Sequence, residues 1–142
     1  MSRRQATILC IDDNWKELIE RKSLLEQGGY KVREASAWEE GLKLFVSQSV
    51  DAVILDYQTP GVNDRVVAAM MKRLKPQIPI LLVSSFGPLP QKKLRQVDAF
   101  LYKSEVELML VATVRDLLQG RPKPFFYRWL DHWKGRNQVV SQ

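Results

Sequence analysis

The sequence predicts a doubly wound α/β domain built on a five-stranded parallel sheet. Three observations lead there. Short apolar runs alternate with longer amphipathic stretches, the pattern of strand–helix units whose parallel strands are covered on both faces. Carboxylates, hydroxyls and a lysine stand directly after the apolar runs, where open parallel sheets form their sites. The 142 residues are 45% hydrophobic and 27% charged. That suits one domain with a real core and excludes wholesale disorder. Right-handed crossovers leave few topologies, and 2-1-3-4-5 is the expected strand order.

Residues Ala6 to Ile11 are apolar apart from Thr7, as a strand buried on both faces requires. Asn14 to Gln27 reads as a helix with Leu18 and Leu25 on its apolar stripe and Gly28-Gly29 as its stop. Lys31 to Glu34 is a polar strand suited to a sheet edge. Ser36-Ala37-Trp38-Glu39 matches a capping box, so a second helix is expected from Ser36 to about Ser47. Ala52 to Leu55 is the third strand, and Asn63 to Lys75 the third helix, ended by Pro76. Ile78 to Val83 is the fourth strand. Only residues 85–97 separate Ser84, just after it, from the fifth, Asp98 to Tyr102, and they include Gly87, Pro88 and Pro90. The intervening helix is therefore shortened to Gln91–Val97, about two turns. Ser104-Glu105-Val106-Glu107 is a second capping box, opening a last helix to about Gln119.

Asp12 and Asp13 follow the first strand, Asp56 the third, Ser84 and Ser85 the fourth, and Lys103 the fifth. Adjacent carboxylates repel and raise one another's pKa. A hard divalent cation resolves this, and Mg²⁺ favours one or two carboxylates, waters and phosphate oxygens. Lys103 then offers a compact positive charge to a phosphoryl group, and Ser84 a hydrogen bond. Positioning and charge stabilisation are what phosphoryl transfer needs. The acceptor would be a carboxylate, forming an acyl phosphate. Other readings stay open: Asp12-Asp13 as a helix cap, Asp56-Tyr57 as the start of a turn ending at Pro60-Gly61, and Ser85 in place of Ser84.

Ile8-Leu9-Cys10-Ile11-Asp12-Asp13-Asn14, Val53-Ile54-Leu55-Asp56-Tyr57-Gln58-Thr59-Pro60-Gly61, Leu82-Val83-Ser84-Ser85 and Phe100-Leu101-Tyr102-Lys103 together resemble the CheY-like receiver domain of two-component response regulators. The resemblance covers residues 6–119 and implies the flavodoxin-like fold. It implies that Asp56 accepts phosphate from a histidine kinase or phosphotransfer protein. Asp12, Asp13, Asp56 and the Gln58 carbonyl would hold Mg²⁺, and Ser84 and Lys103 would contact the phosphoryl group. Ser84 and Phe100 would act as switch residues, although Phe100 also suits a plain core position. Asn63-Asp64 stands where the family has Asp-Gly, and Ser104 where it has proline after the lysine.

Residues 1–120 are read as the receiver and 121–142 as a basic, aromatic C-terminal tail, partly helical. Of the net charge of +6, the tail carries +4, from five basic side chains against Asp131. Phe125, Trp129 and Trp133 recur every four residues, making an apolar stripe if helical. The tail could pack on its own domain, or serve a homodimer or a docked partner. Membrane-surface contact takes a minor place. Nucleic-acid binding is not expected, because no recognition-helix module fits in 22 residues. His132, the only histidine, is read as solvated.

The one cysteine, Cys10, excludes intrachain disulfides and multi-cysteine zinc sites and is read as buried filler. No apolar run approaches the ~18 residues of a membrane helix. The segment after Met1-Ser2-Arg3-Arg4 is stopped by Asp12-Asp13 before it could act as a signal peptide. The expected protein is a cytoplasmic, single-domain response regulator that signals through protein–protein contacts, with no separate enzymatic activity. The alternative is a pseudo-receiver that binds partners without phosphorylation. A phosphatase would want Asp-x-Asp after strand one, and a P-loop is absent.

Overall fold

The computed structural model describes residues 4–57, 64–85 and 96–120. Residues 91–95 of the expected shortened helix, Gln58 and the 121–142 tail with His132 lie outside them, and Gln96 and Val97 at its expected end are not helical. The strands are β1 (Thr7–Ile11), β2 (Lys31–Ala35), β3 (Ala52–Asp56), β4 (Ile80–Ser84) and β5 (Ala99–Tyr102). The helices are α1 (Trp15–Gln27), α2 (Trp38–Ser47), α3 (Asp64–Leu74) and α4 (Val106–Leu118). All strands pair in parallel in the order β2-β1-β3-β4-β5, as the sequence predicts.

Every residue of β1, β3 and β4 is buried, which explains their unbroken apolar runs. Alternate side chains serve opposite faces. Leu9, Ile11, Val53, Leu55, Ile80 and Leu82 meet Phe45 of α2 and Val67 and Met71 of α3. Ile8, Cys10, Ile54, Leu81 and Val83 meet Leu18 and Leu25 of α1 and Leu110, Val114 and Leu117 of α4. Cys10 is fully buried, and that burial pushes its thiol up to about 12. The polar edge strand β2 alternates between exposed and partly buried residues and ends on the buried Ala35.

Asn14 caps α1, its side chain accepting from the Lys16 and Glu17 amides. At the other end Gly29 adopts φ +93°. Its amide donates to Glu26 O and that of Tyr30 to Leu25 O, closing the helix as a Schellman motif. The predicted capping boxes need correction. The Ala37 carbonyl takes the first α2 bond, from Gly41 N, and no side chain caps that helix. β2 runs on through Ala35, whose carbonyl is held by Asp12 N, so α2 starts one residue later than a Ser36 cap requires. Ser104 instead lies within a 3₁₀ turn, Lys103–Glu105, ahead of α4. There Glu105 reaches back to the Tyr102 amide at 3.1 Å.

Candidate functional site

Parallel pairing brings the ends of β1 and β3 side by side, with Ile11 opposite Leu55. Asp12 and Asp13 leave one strand, and Asp56 closes the other. Oxygens of these three carboxylates lie within 4.8 Å of one another. Asp12 and Asp56 are buried and Asp13 is exposed. An all-oxygen cluster with one face open to water fits Mg²⁺, which keeps part of its hydration shell. Of the predicted metal set, Gln58 alone is outside the described residues.

β4 places Ser84, fully buried, at the same sheet edge, opposite Tyr102 of β5. Ser85 is exposed. Lys103 follows β5, and its Nζ stands 3.2 Å from Asp56 Oδ1. Phe100 is buried on β5, its ring edge-on to Tyr102 at 5.0 Å between centroids.

Two side chains that the strand-end argument missed complete the cluster. Glu17 and Arg21 sit one turn apart on α1. Arg21 is 2% exposed, and its Nη1 lies 2.8 Å from Asp12 Oδ2. Its Nη2 is 3.4 Å from Glu17 Oε2. Both Glu17 oxygens accept from Lys103 Nζ, at 3.0 and 2.9 Å. The chain of charges therefore runs Asp12–Arg21–Glu17–Lys103–Asp56, alternating in sign. The sequence carried one signal: Arg21 falls between Leu18 and Leu25 on the buried stripe of α1, an unusual place for a guanidinium unless paired.

The electrostatics follow from that ring. Burial, reinforced by the neighbouring Glu17 carboxyl, pushes Asp12 up to about 7 against the pull of the Asn14 amide and Arg21. Burial also raises Asp56, with Lys103 working the other way. Burial opposes the charge on Glu17 too, but Asp12, Lys103 and Arg21 together hold its carboxyl below the usual range. Lys103 is raised: its partial burial is outweighed by Glu17 and Asp56. Metal-free, the site is an acidic cluster short of positive charge, with Asp12 carrying the strain.

Comparison with known proteins places these residues in a family context. Residues 8–114 match the response regulator receiver domain family. The chain is 40% identical over 62 residues to the CAI-1 autoinducer sensor kinase/phosphatase CqsS of Vibrio cholerae, covering 44% of this chain and 9% of that protein. It is 26% identical over 132 residues to the transcriptional regulatory protein GlrR of Escherichia coli K12, covering 91% of this chain and 30% of that one. The chain thus spans a third or less of these relatives. Among solved structures, response regulator TrrA of Thermotoga maritima, in complex with Mg²⁺ and BeF, is 29% identical. Its TM-score is 0.75, over 80% of this chain and 99% of that one. A CheY-like receiver domain from Methanospirillum hungatei shares the fold with a TM-score of 0.78 at 22% identity, over 82% and 96% of the two chains.

Proposed function

We propose that this chain, which belongs to the response regulator receiver domain family, accepts a phosphoryl group on Asp56 from a phosphohistidine donor. The observation that carries the reading is the meeting of Asp12, Asp13 and Asp56 within 4.8 Å, with Lys103 3.2 Å from Asp56. An Asp56 carboxylate oxygen attacks phosphorus, the phosphorus–nitrogen bond of the donor breaks, and the imidazole leaves with its electron pair and takes up a proton. The product is an acyl phosphate. Asp12, Asp13 and Asp56, with the Gln58 carbonyl, would hold Mg²⁺, which supplies charge stabilisation for the transferring group. Lys103 binds a phosphoryl oxygen as a point charge, and Ser84 donates its hydroxyl proton to another.

Phosphorylation adds charge and acceptor oxygens beside Ser84 and Lys103. Drawing Ser84 inward biases a pre-existing equilibrium at the β4–β5 edge, where Phe100 sits. Signalling then passes through protein contacts. The partners are a histidine kinase or a histidine phosphotransfer protein. Matches to sensor kinases such as CqsS support a place in that chemistry. The 121–142 tail is a candidate contact for a homodimer or docked partner. No helix among the described residues is long and apolar enough to cross a membrane, and the protein is read as cytoplasmic.

Intact-mass measurement after incubation with phosphoramidate and Mg²⁺ tests the proposal. One phosphoryl adduct is expected on the wild-type chain and none on Asp56→Asn. No wild-type adduct, or an unchanged one on the variant, refutes it and favours a phosphorylation-independent binding module.

A further inference from the structure

Glu17 and Arg21 are charged, close to the reacting atoms, and have no part in the transfer step above. An ammonium has three N–H donors. Around Lys103 three carboxylate oxygens stand within reach: both of Glu17, at 3.0 and 2.9 Å, and Oδ1 of Asp56 at 3.2 Å. The nearer two belong to Glu17. A phosphoryl oxygen therefore gains a donor from Lys103 only when one of these carboxylates gives it up. Arg21 keeps Glu17 in this position, bridging it to the buried Asp12.

The geometry points to Glu17 as a positioning residue that competes with the incoming phosphoryl group for Lys103, and so sets how tightly the site takes an anionic phosphodonor. The inference rests on Asp56 as the acceptor. Two effects act in the same direction. Glu17 holds the donors that the phosphoryl oxygens need, and its own negative charge faces the anion. The exchange has room to occur, because Glu17, Arg21 and Lys103 line an open groove of about 690 Å³ between α1 and the start of α4. Glu17 is partly exposed, with 27% of its side-chain surface accessible, so a neutral replacement can be solvated there.

The test uses the full chain with Mg²⁺ present. Adduct formation is followed against phosphoramidate concentration by intact mass, and beryllium fluoride binding by calorimetry. Glu17→Gln should lower both the apparent KM and the beryllium fluoride dissociation constant about tenfold, the scale of removing one half-buried like charge. The maximal rate should change less than about twofold, because the interaction is lost before the transition state. Glu17→Ala should move both constants the same way, and thermal melting checks that both variants fold. In a Lys103→Met background the Glu17→Gln effect should shrink from about tenfold to about threefold, the part left to the charge of Glu17 itself, since coupled residues are not additive.

An unchanged or raised KM and dissociation constant in Glu17→Gln overturns the inference. So does an equal gain with and without Lys103, which would mean a general charge effect. A wild-type chain that takes neither adduct nor beryllium fluoride overturns the acceptor reading itself, and the inference falls with it.

Discussion

Replacing Arg21 by methionine removes one partner of a buried ion pair while keeping most of the side-chain volume. Asp12 is 0% exposed and Arg21 2%, with 2.8 Å between Oδ2 and Nη1. Breaking such a pair from one side costs about 3–5 kcal/mol, because the remaining charge stays buried without compensation. Two features place this case at the low end. Asp12 Oδ1 keeps the Asn14 amide at 2.9 Å, and Glu17 keeps Lys103. The expected loss is about 3 kcal/mol at pH 7.5 in EDTA. In urea that lowers the unfolding midpoint by about 1–3 M, for slopes of about 1–3 kcal/mol/M. Saturating Mg²⁺ should narrow the gap by about 1 kcal/mol, since a divalent cation replaces the missing positive charge and binds the native state only. In an Asp12→Asn background the same replacement should cost less than half as much. A loss below about 1 kcal/mol, a gap that widens with Mg²⁺, or full additivity with Asp12→Asn would refute the account of Arg21 as counter-charge to Asp12.

The raised Asp12 gives a pH dependence with a definite sign. Its native pKa of about 7 stands above the ~3.9 of an unfolded aspartate, so the native state binds the extra proton between these values. Urea stability in EDTA should fall as pH rises from about 4 to about 7, by up to about 1.4 kcal/mol per unit; a curve rising across that window would contradict it. Because Mg²⁺ must displace that proton, its apparent affinity by calorimetry should climb toward pH 7 and level off above. At Gly41, an added Cβ would stand 2.4 Å from Ile11 Cδ1 and 2.8 Å from its Cγ1, in a fully buried contact between α2 and β1. Gly41→Ala should cost about 2 kcal/mol by overpacking, and adding Ile11→Val, which deletes the nearest atom, should restore about half. A silent Gly41→Ala in thermal melting would show that the layers give way more easily than their spacing implies.

The sheet was legible because β1, β3 and β4 are buried on both faces and so spell themselves as apolar runs. Its boundaries were less so. Ile78 and Pro79 read as strand, yet β4 begins at Ile80, where the Asp98 carboxylate and amide tie the β4 and β5 starts together. Proline has no N–H to extend the ladder there. The carboxylates and Lys103 were legible because a parallel sheet collects whatever follows its strands at one edge. Glu17 and Arg21 were not, because a helix pair four residues apart usually lies on a solvated face. Only the depth of the Leu18–Leu25 stripe turns that pair inward, and depth depends on how α1 seats against the sheet. The capping boxes failed for a related reason: strand length and the 3₁₀ turn set where each helix could start.

The seating of Arg21 in an otherwise apolar stripe also constrains how this site can change during evolution. A lineage that loses Arg21 first passes through a protein with a buried, uncompensated Asp12. One that neutralises Glu17 first leaves Arg21 still paired to Asp12 at 2.8 Å and Lys103 still beside Asp56. Position 17 can therefore change while the buried pair stays intact, whereas an apolar residue at position 21 leaves Asp12 without its counter-charge in either order. As long as Asp12 is kept, Arg21 should be held with it, and Glu17 is the member of the chain that can drift.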